Sequence, residues 1–151
     1  MTDHIDHSLV TDWLIALLEG MEGGFAVGDH AAPPGADPRE DPYLVVWEIP
    51  GGSVEGPALT APEADHSIVY QVDAVGFTRK QAQRLAARAG RAVAGRDAVT
   101  GAYLVAASSP AGLSVHDRIS EGAFGGVTVE GTAPDEVYTV PNRYVLTVTP
   151  A

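Results

Sequence analysis

Apolar residues recur at helical spacing along residues 8–19. Leu9, Val10, Trp13, Leu14, Leu17 and Leu18 fall at i, i+3, i+4 and i+7 intervals and make one wide stripe. The spacing predicts a core-facing helix, capped by Asp6 or Ser8 and stopped by Gly20 or Gly23. A short strand is expected at 25–27. Residues 30–42 (HAAPPGADPREDP) contain four prolines and no period, and so read as a loop. Tyr43 to Ile49 is a continuous apolar run rich in β-branched and aromatic residues. That is the pattern of a strand covered on both faces, which Pro50-Gly51-Gly52 should stop. Residues 51–66 have loop composition and join two strands, which predicts a long hairpin arm.

Ile68, Tyr70, Val72 and Ala74 then alternate with Val69, Gln71, Asp73 and Val75, a strand with one face more polar than the other. Gly76 lets the chain turn. Thr78 and Gln81 fit the capping box S/T-x-x-E/Q, so a second helix is expected from Thr78 to about Ala94, with Gly95 as its stop. At 100° per residue, Lys80, Arg84, Arg88 and Arg91 lie at roughly 0°, 40°, 80° and 20° around this helix. Ala82, Leu85, Ala86, Ala89 and Val93 lie opposite them. From 95 onward the pattern weakens. Tyr103 to Ala107 fits either helix or strand. Gly112 to Ile119, Val127 to Glu130 and Glu136 to Val140 are strand candidates, and Arg143 to Thr149 alternates as a final strand.

Charge changes the picture of the second helix. The 151-residue chain carries a formal charge of −11 and has a pI of about 4.6. Residues 78–94 hold five of the nine Lys and Arg residues and no carboxylate, so this segment carries +5 and the remainder −16. A concentrated basic helix on an acidic protein points to contact with another acidic surface, another copy of the chain included. Two other readings stay open: a solvated face paired with local carboxylates, and a nucleic-acid contact. The acidity of the rest disfavours the last, because phosphate neutralisation needs exposed positive charge. Like charges at i, i+4 cost a few tenths of a kcal/mol per pair when left alone, and Arg91 recovers part of this at the negative end of the helix dipole.

The length fits a single domain over residues 1–151. Cysteine is absent, which excludes disulfides and thiolate metal sites. The N-terminus, MTDHIDH, is acidic where a signal peptide is basic, and the longest apolar runs are far too short to span a bilayer. The reading is a soluble, non-secreted protein. Seventeen glycines and eleven prolines imply extensive loops.

Candidate chemistry is sparse. Four of the five histidines follow an aspartate (Asp3-His4, Asp6-His7, Asp29-His30, Asp65-His66), and His116 precedes Asp117. A carboxylate beside a histidine supports metal ligation when the two meet in space, but sequence neighbours usually point apart, and all five sit in terminal or loop-like segments. They read as solvated, with metal binding the minor alternative; His4 and His7 form an H-x-x-H. There is no G-x-S-x-G, P-loop, G-x-G-x-x-G after a strand, or H-E-x-x-H. Gly122 to Gly126 lacks the Lys-Ser/Thr that phosphate binding needs. No catalytic, cofactor-binding or metal site is expected, and the protein is not expected to be an enzyme. The candidate site is an interface: Lys80, Arg84, Arg88 and Arg91.

The order of pieces carries a resemblance. An amphipathic helix precedes a strand beginning PYLVVWEIPGG. A polar loop leads to DHSIVYQVDAVG, then TRKQAQRLAAR, and the chain closes on RYVLTV. The chain resembles the tail terminator (tail completion) proteins of long-tailed phages, especially those of high-GC actinobacteria, over most of 8–94 and the last strand. The sharpest part is YQVDAVGFTRKQAQRLA, a strand–turn–helix joint; residues 95–135 match no pattern. The resemblance implies an α+β fold (an α/β sandwich), with a mixed or mostly antiparallel sheet packed by two main helices and a long hairpin loop. It implies a virion protein, assembled in the host cytoplasm, that forms a ring of six copies on the tail tube protein. Such a ring ends tube polymerisation and docks the head-side stopper or connector at the head–tail junction. DNA passes through the lumen without specific binding, and no membrane or cofactor is involved. A second neck protein or a tail-tube subunit is the alternative, and a small metal- or ligand-binding domain is a third reading.

Overall fold

A computed structural model describes residues 5–55, 65–105, 107–123, 126–132 and 134–150 of the chain. Helix α1 spans His7–Glu19. The Asp6 carboxylate caps it by accepting from the Ser8 amide at 3.0 Å, and Gly20 ends it. Val10, Trp13, Leu14, Leu17 and Leu18 are buried as the stripe requires. Leu9 is not: five residues from Leu14 puts it about 140° round the helix, and it is 40% exposed.

Strands β1 (Ala26–Asp29), β2 (Tyr43–Glu55) and β3 (Asp65–Gly76) precede helix α2 (Arg79–Ala94); β4 (Leu113–Ala123), β5 (Thr128–Glu130) and β6 (Val137–Pro150) follow it. The sheet order is β1-β2-β3-β6-β4, with β5 also on β6. β1 pairs parallel with β2 and every other pairing is antiparallel. This is the expected α+β fold, with a mixed, mostly antiparallel sheet and two helices.

Both helices lie on the same face of the sheet. Their buried residues pack in one core with Leu44, Val46, Ile68, Tyr70, Val72, Ala74, Val140, Tyr144, Leu146 and Val148, one alternating set from β2, β3 and β6. No helix covers the opposite face among the described residues. Tyr43, Trp47 and Ile49 are therefore only half-buried there, although Val45 between them is buried. This corrects the expectation of a strand covered on both faces. The apolar character of that side of β2 belongs to an open sheet face.

Two boundaries also differ from the pattern. β2 runs through Pro50-Gly51-Gly52 to Glu55, with its register against β3 shifting between Ile49 and Ser53. β1 pairs β2 only at 43–46, so among the described residues Pro50 lies on an unpaired edge and in an irregularity, where a missing N–H costs nothing. The hairpin between β2 and β3 is present, but the middle of the expected arm, 56–64, lies outside the described residues. The two expected strands at 136–140 and 143–149 form the single strand β6. Val140 and Pro141 fall in the gap between the stretches paired with β5 (137–139) and β4 (142–150), so Pro141 breaks no ladder on that side.

The described residues of 95–112 form neither helix nor strand, 103–105 and 107 included; an isolated bridge joins Arg96 to Tyr103. A cation–aromatic stack fastens it. The Arg118 guanidinium of β4 is buried and sits 4.3 Å from the Tyr103 ring and 5.0 Å from the Trp13 ring. Arg118 donates to the Val105 carbonyl at 2.9 Å, and Trp13 donates to the Ser108 carbonyl at 2.9 Å. Arg96 also lies over the Tyr103 ring at 4.5 Å and pairs with Asp117 at 3.0 Å.

Two tyrosines are buried in the core. The Tyr70 hydroxyl meets Thr11 of α1 at 2.9 Å, and burial pushes its phenol well above the ordinary range. Burial pushes Tyr144 up to about 12. A phenol whose folded pKa exceeds its unfolded value contributes stability that is complete below about pH 10 and is lost as pH rises through the folded pKa. The protein should therefore lose stability steeply above pH 10. Tyr144→Phe should flatten that alkaline limb in pH-dependent thermal melts; an unchanged limb would show that Tyr144 ionises freely in the fold.

Candidate functional site: the basic face of helix α2

The strand–helix joint is built by three residues. Gly76 ends β3, and a Cβ there would stand 2.9 Å from the Ala82 amide nitrogen, so only glycine lets the strand turn this tightly against the helix. The Thr78 hydroxyl accepts from the Gln81 amide at 3.1 Å. The Gln81 side chain reaches back to the Phe77 amide at 2.9 Å, one residue beyond the usual partner of a capping box. Replacing Thr78 with alanine should cost about 1 kcal/mol in denaturant unfolding; no loss would mean that packing alone starts the helix.

Ala82, Leu85, Ala86, Ala89, Ala92 and Val93 are buried, and Lys80, Arg84, Arg88 and Arg91 are exposed together, as the wheel predicts. Alanines on the inner face bring α2 close to β3 and β6. The four cations edge two adjoining concavities of about 610 and 580 Å³. One is lined by Met21, Glu22, Gly23, Arg88, Arg91, Ala92 and Val105. The other is lined by Phe25, Arg39, Pro42, Phe77, Lys80, Arg84 and Arg88 among others. The result is a groove with apolar walls and a cationic rim.

Among the described residues no carboxylate pairs with the four α2 cations. Among the described residues the ion pairs are His7–Glu48, His30–Asp29, Arg39–Asp135, Arg96–Asp117 and His116–Asp65, none of them on α2. Glu22 lines the groove without forming a pair. Arg88 lies over the Phe25 ring at 5.7 Å. The α2 cations are thus exposed to solvent, with no ion pair to a carboxylate among the described residues.

Three of the five histidines lie in regular elements, against the loop reading, while His30 sits in the bend after β1. His7 opens α1 and contacts Glu48. His66 lies in β3, and His116 lies in β4, 2.7 Å from the Thr149 hydroxyl and 3.3 Å from Asp65. The Thr149 hydroxyl first, and His116 after it, hold the Asp65 carboxyl below its ordinary value. Asp29 and His30 do touch, because His30 adopts φ 55°, a left-handed turn that folds its ring back onto the preceding side chain. His4 lies outside the described residues. Among the described residues no group of three His, Asp or Glu side chains is arranged to hold a metal, and no helix is long and apolar enough to cross a membrane.

The open sheet face carries a second feature that the pattern did not single out. Ile49, Val69, Val145 and Ile119 are successive cross-strand neighbours on β2, β3, β6 and β4 and form an apolar band across four strands. Ile119 is 48% exposed. Beside the band, Trp47 and Gln71 both donate to the Asp73 carboxylate at 3.0 and 2.9 Å, and Arg143 donates to Gln71 at 3.2 Å. The alternation in β3 hinted at this polar row. Its partners Trp47 and Arg143 come from strands whose register the sequence does not fix.

No protein-family profile matches the sequence, and no curated protein matches it. Among solved structures, the chain is similar to a chain from the virion of a native gene transfer agent particle. The two share 13% identity and a TM-score of 0.56, over 97% of this chain and 99% of the other. At that identity the likeness is one of fold, and it runs the full length of both chains.

Proposed function

We propose that this protein is a structural component of a phage-like virion, a tail terminator that forms a ring at the head-proximal end of the tail tube. The observation that carries this reading is the end-to-end likeness to a chain of a gene transfer agent virion, nearly equal in extent on both sides. The cationic face of α2 supports it, because an assembly protein needs a surface left unsatisfied in the single chain. In this reading the ring, of six copies, ends tube polymerisation, and its opposite side receives the head-side connector. The charge of −11 per copy, repeated around a lumen, repels passing DNA and keeps it from adhering.

Cryo-EM of particles from the source phage tests the proposal. A single ring of this chain at the head–tail junction is the expected result. A protein that stays monomeric and is absent from the junction sinks the idea. Location also separates the alternatives, since a tail-tube subunit repeats along the tail and a connector sits on the head side. Reversing Arg84 and Arg88 to glutamate should impair assembly and leave the monomer folded, because exposed substitutions usually shift stability by less than about 0.5 kcal/mol. Unchanged ring formation and infectivity would remove α2 from the interface.

A further inference from the structure

Among the described residues the α2 cations of the basic groove have no ion-pair partner, and the same chain carries an acidic surface of matching pitch. On the outer face of α1, Asp12 and Glu19 are exposed, and α1 contains no Lys or Arg. Neither carboxylate has a hydrogen bond or ion pair among the described residues. They are seven residues apart, which places them about 20° apart around the helix and about 10.5 Å apart along it. Arg84 and Arg91 on α2 are also seven residues apart, with the same offset and the same rise. Leu9 and Ile15 border the acidic pair on α1 and supply apolar surface that fits the apolar walls of the groove.

We infer that α1 of one copy docks across α2 of the next, with Asp12 and Glu19 opposite Arg84 and Arg91. The occupant of the groove is thus a second copy of this chain. The donor and acceptor patches are different surfaces of one molecule, so the contact is head-to-tail. Repeated, such a contact closes into a ring when its rotation allows. Two rows of like charge, each repulsive alone, neutralise one another, so assembly removes the local penalty that each single chain carries. The inference deepens the ring reading and rests on it for its biological setting, but the contact itself is a property of the purified chain.

The test is a charge swap followed by sedimentation of the full chain at about 0.05 M and about 0.5 M salt. The wild type should self-associate at low salt and weaken at least tenfold at high salt. Arg84→Glu with Arg91→Glu should sediment as a folded monomer, as should Asp12→Arg with Glu19→Arg, with circular dichroism confirming both folds. Mixing the two variants should restore association, because each then meets an opposite row on its neighbour. A mixture that stays monomeric overturns the inference, as does wild-type association that either variant retains. A wild type that is monomeric at every concentration also overturns it, and labelled DNA or an acidic peptide binding the groove instead would name the true occupant. The ring reading fails separately: copies that associate through this contact yet are missing from the particle's junction leave the inference standing and remove the tail role.

Discussion

Replacing Arg118 by alanine should destabilise the protein by about 3 kcal/mol, among the largest effects of any single substitution. The guanidinium is 5% exposed, is held by the faces of Trp13 and Tyr103, and donates to the Val105 carbonyl. A desolvated cation–aromatic contact contributes about 2 kcal/mol or more, and the truncated side chain would leave a void between α1, β4 and the 95–108 stretch. Arg118→Met separates charge from volume. Burial already penalises this cation and lowers its pKa, so a well-packed apolar replacement should recover much of the loss. Urea unfolding of both variants measures the difference. Equal, small losses would mean that the stack holds the 95–108 stretch only loosely.

Gly28→Ala should cost about 2–3 kcal/mol, in the range of overpacked cores. A Cβ at position 28 would stand 1.8 Å from the Ala31 carbonyl oxygen and 2.9 Å from the Pro33 nitrogen. Both are backbone atoms, so no side-chain rotation relieves the clash. The turn behind them is pinned by His30, whose amide donates to the Val46 carbonyl at 2.9 Å and whose ring accepts from the Glu48 amide at 3.0 Å. The His30 ring also stands edge-on to Trp47 at 5.8 Å. Pushing residues 31–33 outward would therefore disturb both the β1–β2 pairing and the environment of Trp47. A lowered melting temperature together with a shifted tryptophan emission is expected. A melting temperature within a degree or so of wild type would show that the turn relaxes freely. By contrast, Gly24 and Gly35 have open space around them, and their cost comes only from positive φ.

Either substitution acts on folding and leaves the α2 row untouched. A loss of assembly from Arg118→Ala or Gly28→Ala should track the fraction unfolded, whereas a loss from Arg84→Glu with Arg88→Glu should occur with the melting temperature unchanged. That contrast separates an interface defect from a stability defect.

The sequence by itself determined the two helices, the α2 caps and most of both inner faces, and narrowed each α1 cap to two residues, because helical periodicity and capping are local and need no distant partner. It also determined the basic row, since four cations at i, i+4, i+8 and i+11 must share a face on any helix. Strand limits were less legible. Pro50 and Pro141 look like breaks in the sequence, yet both sit within strands, because no described strand pairs with them on one side. That vacancy is a fact about sheet order, which no local pattern contains. The tertiary structure alone decided that one sheet face is open among the described residues, that Arg118 is buried between two rings distant in sequence, and that none of the described carboxylates pairs with the α2 row. Each depends on which segments meet in space, and the charge left uncompensated on α2 is the one that asks for another molecule.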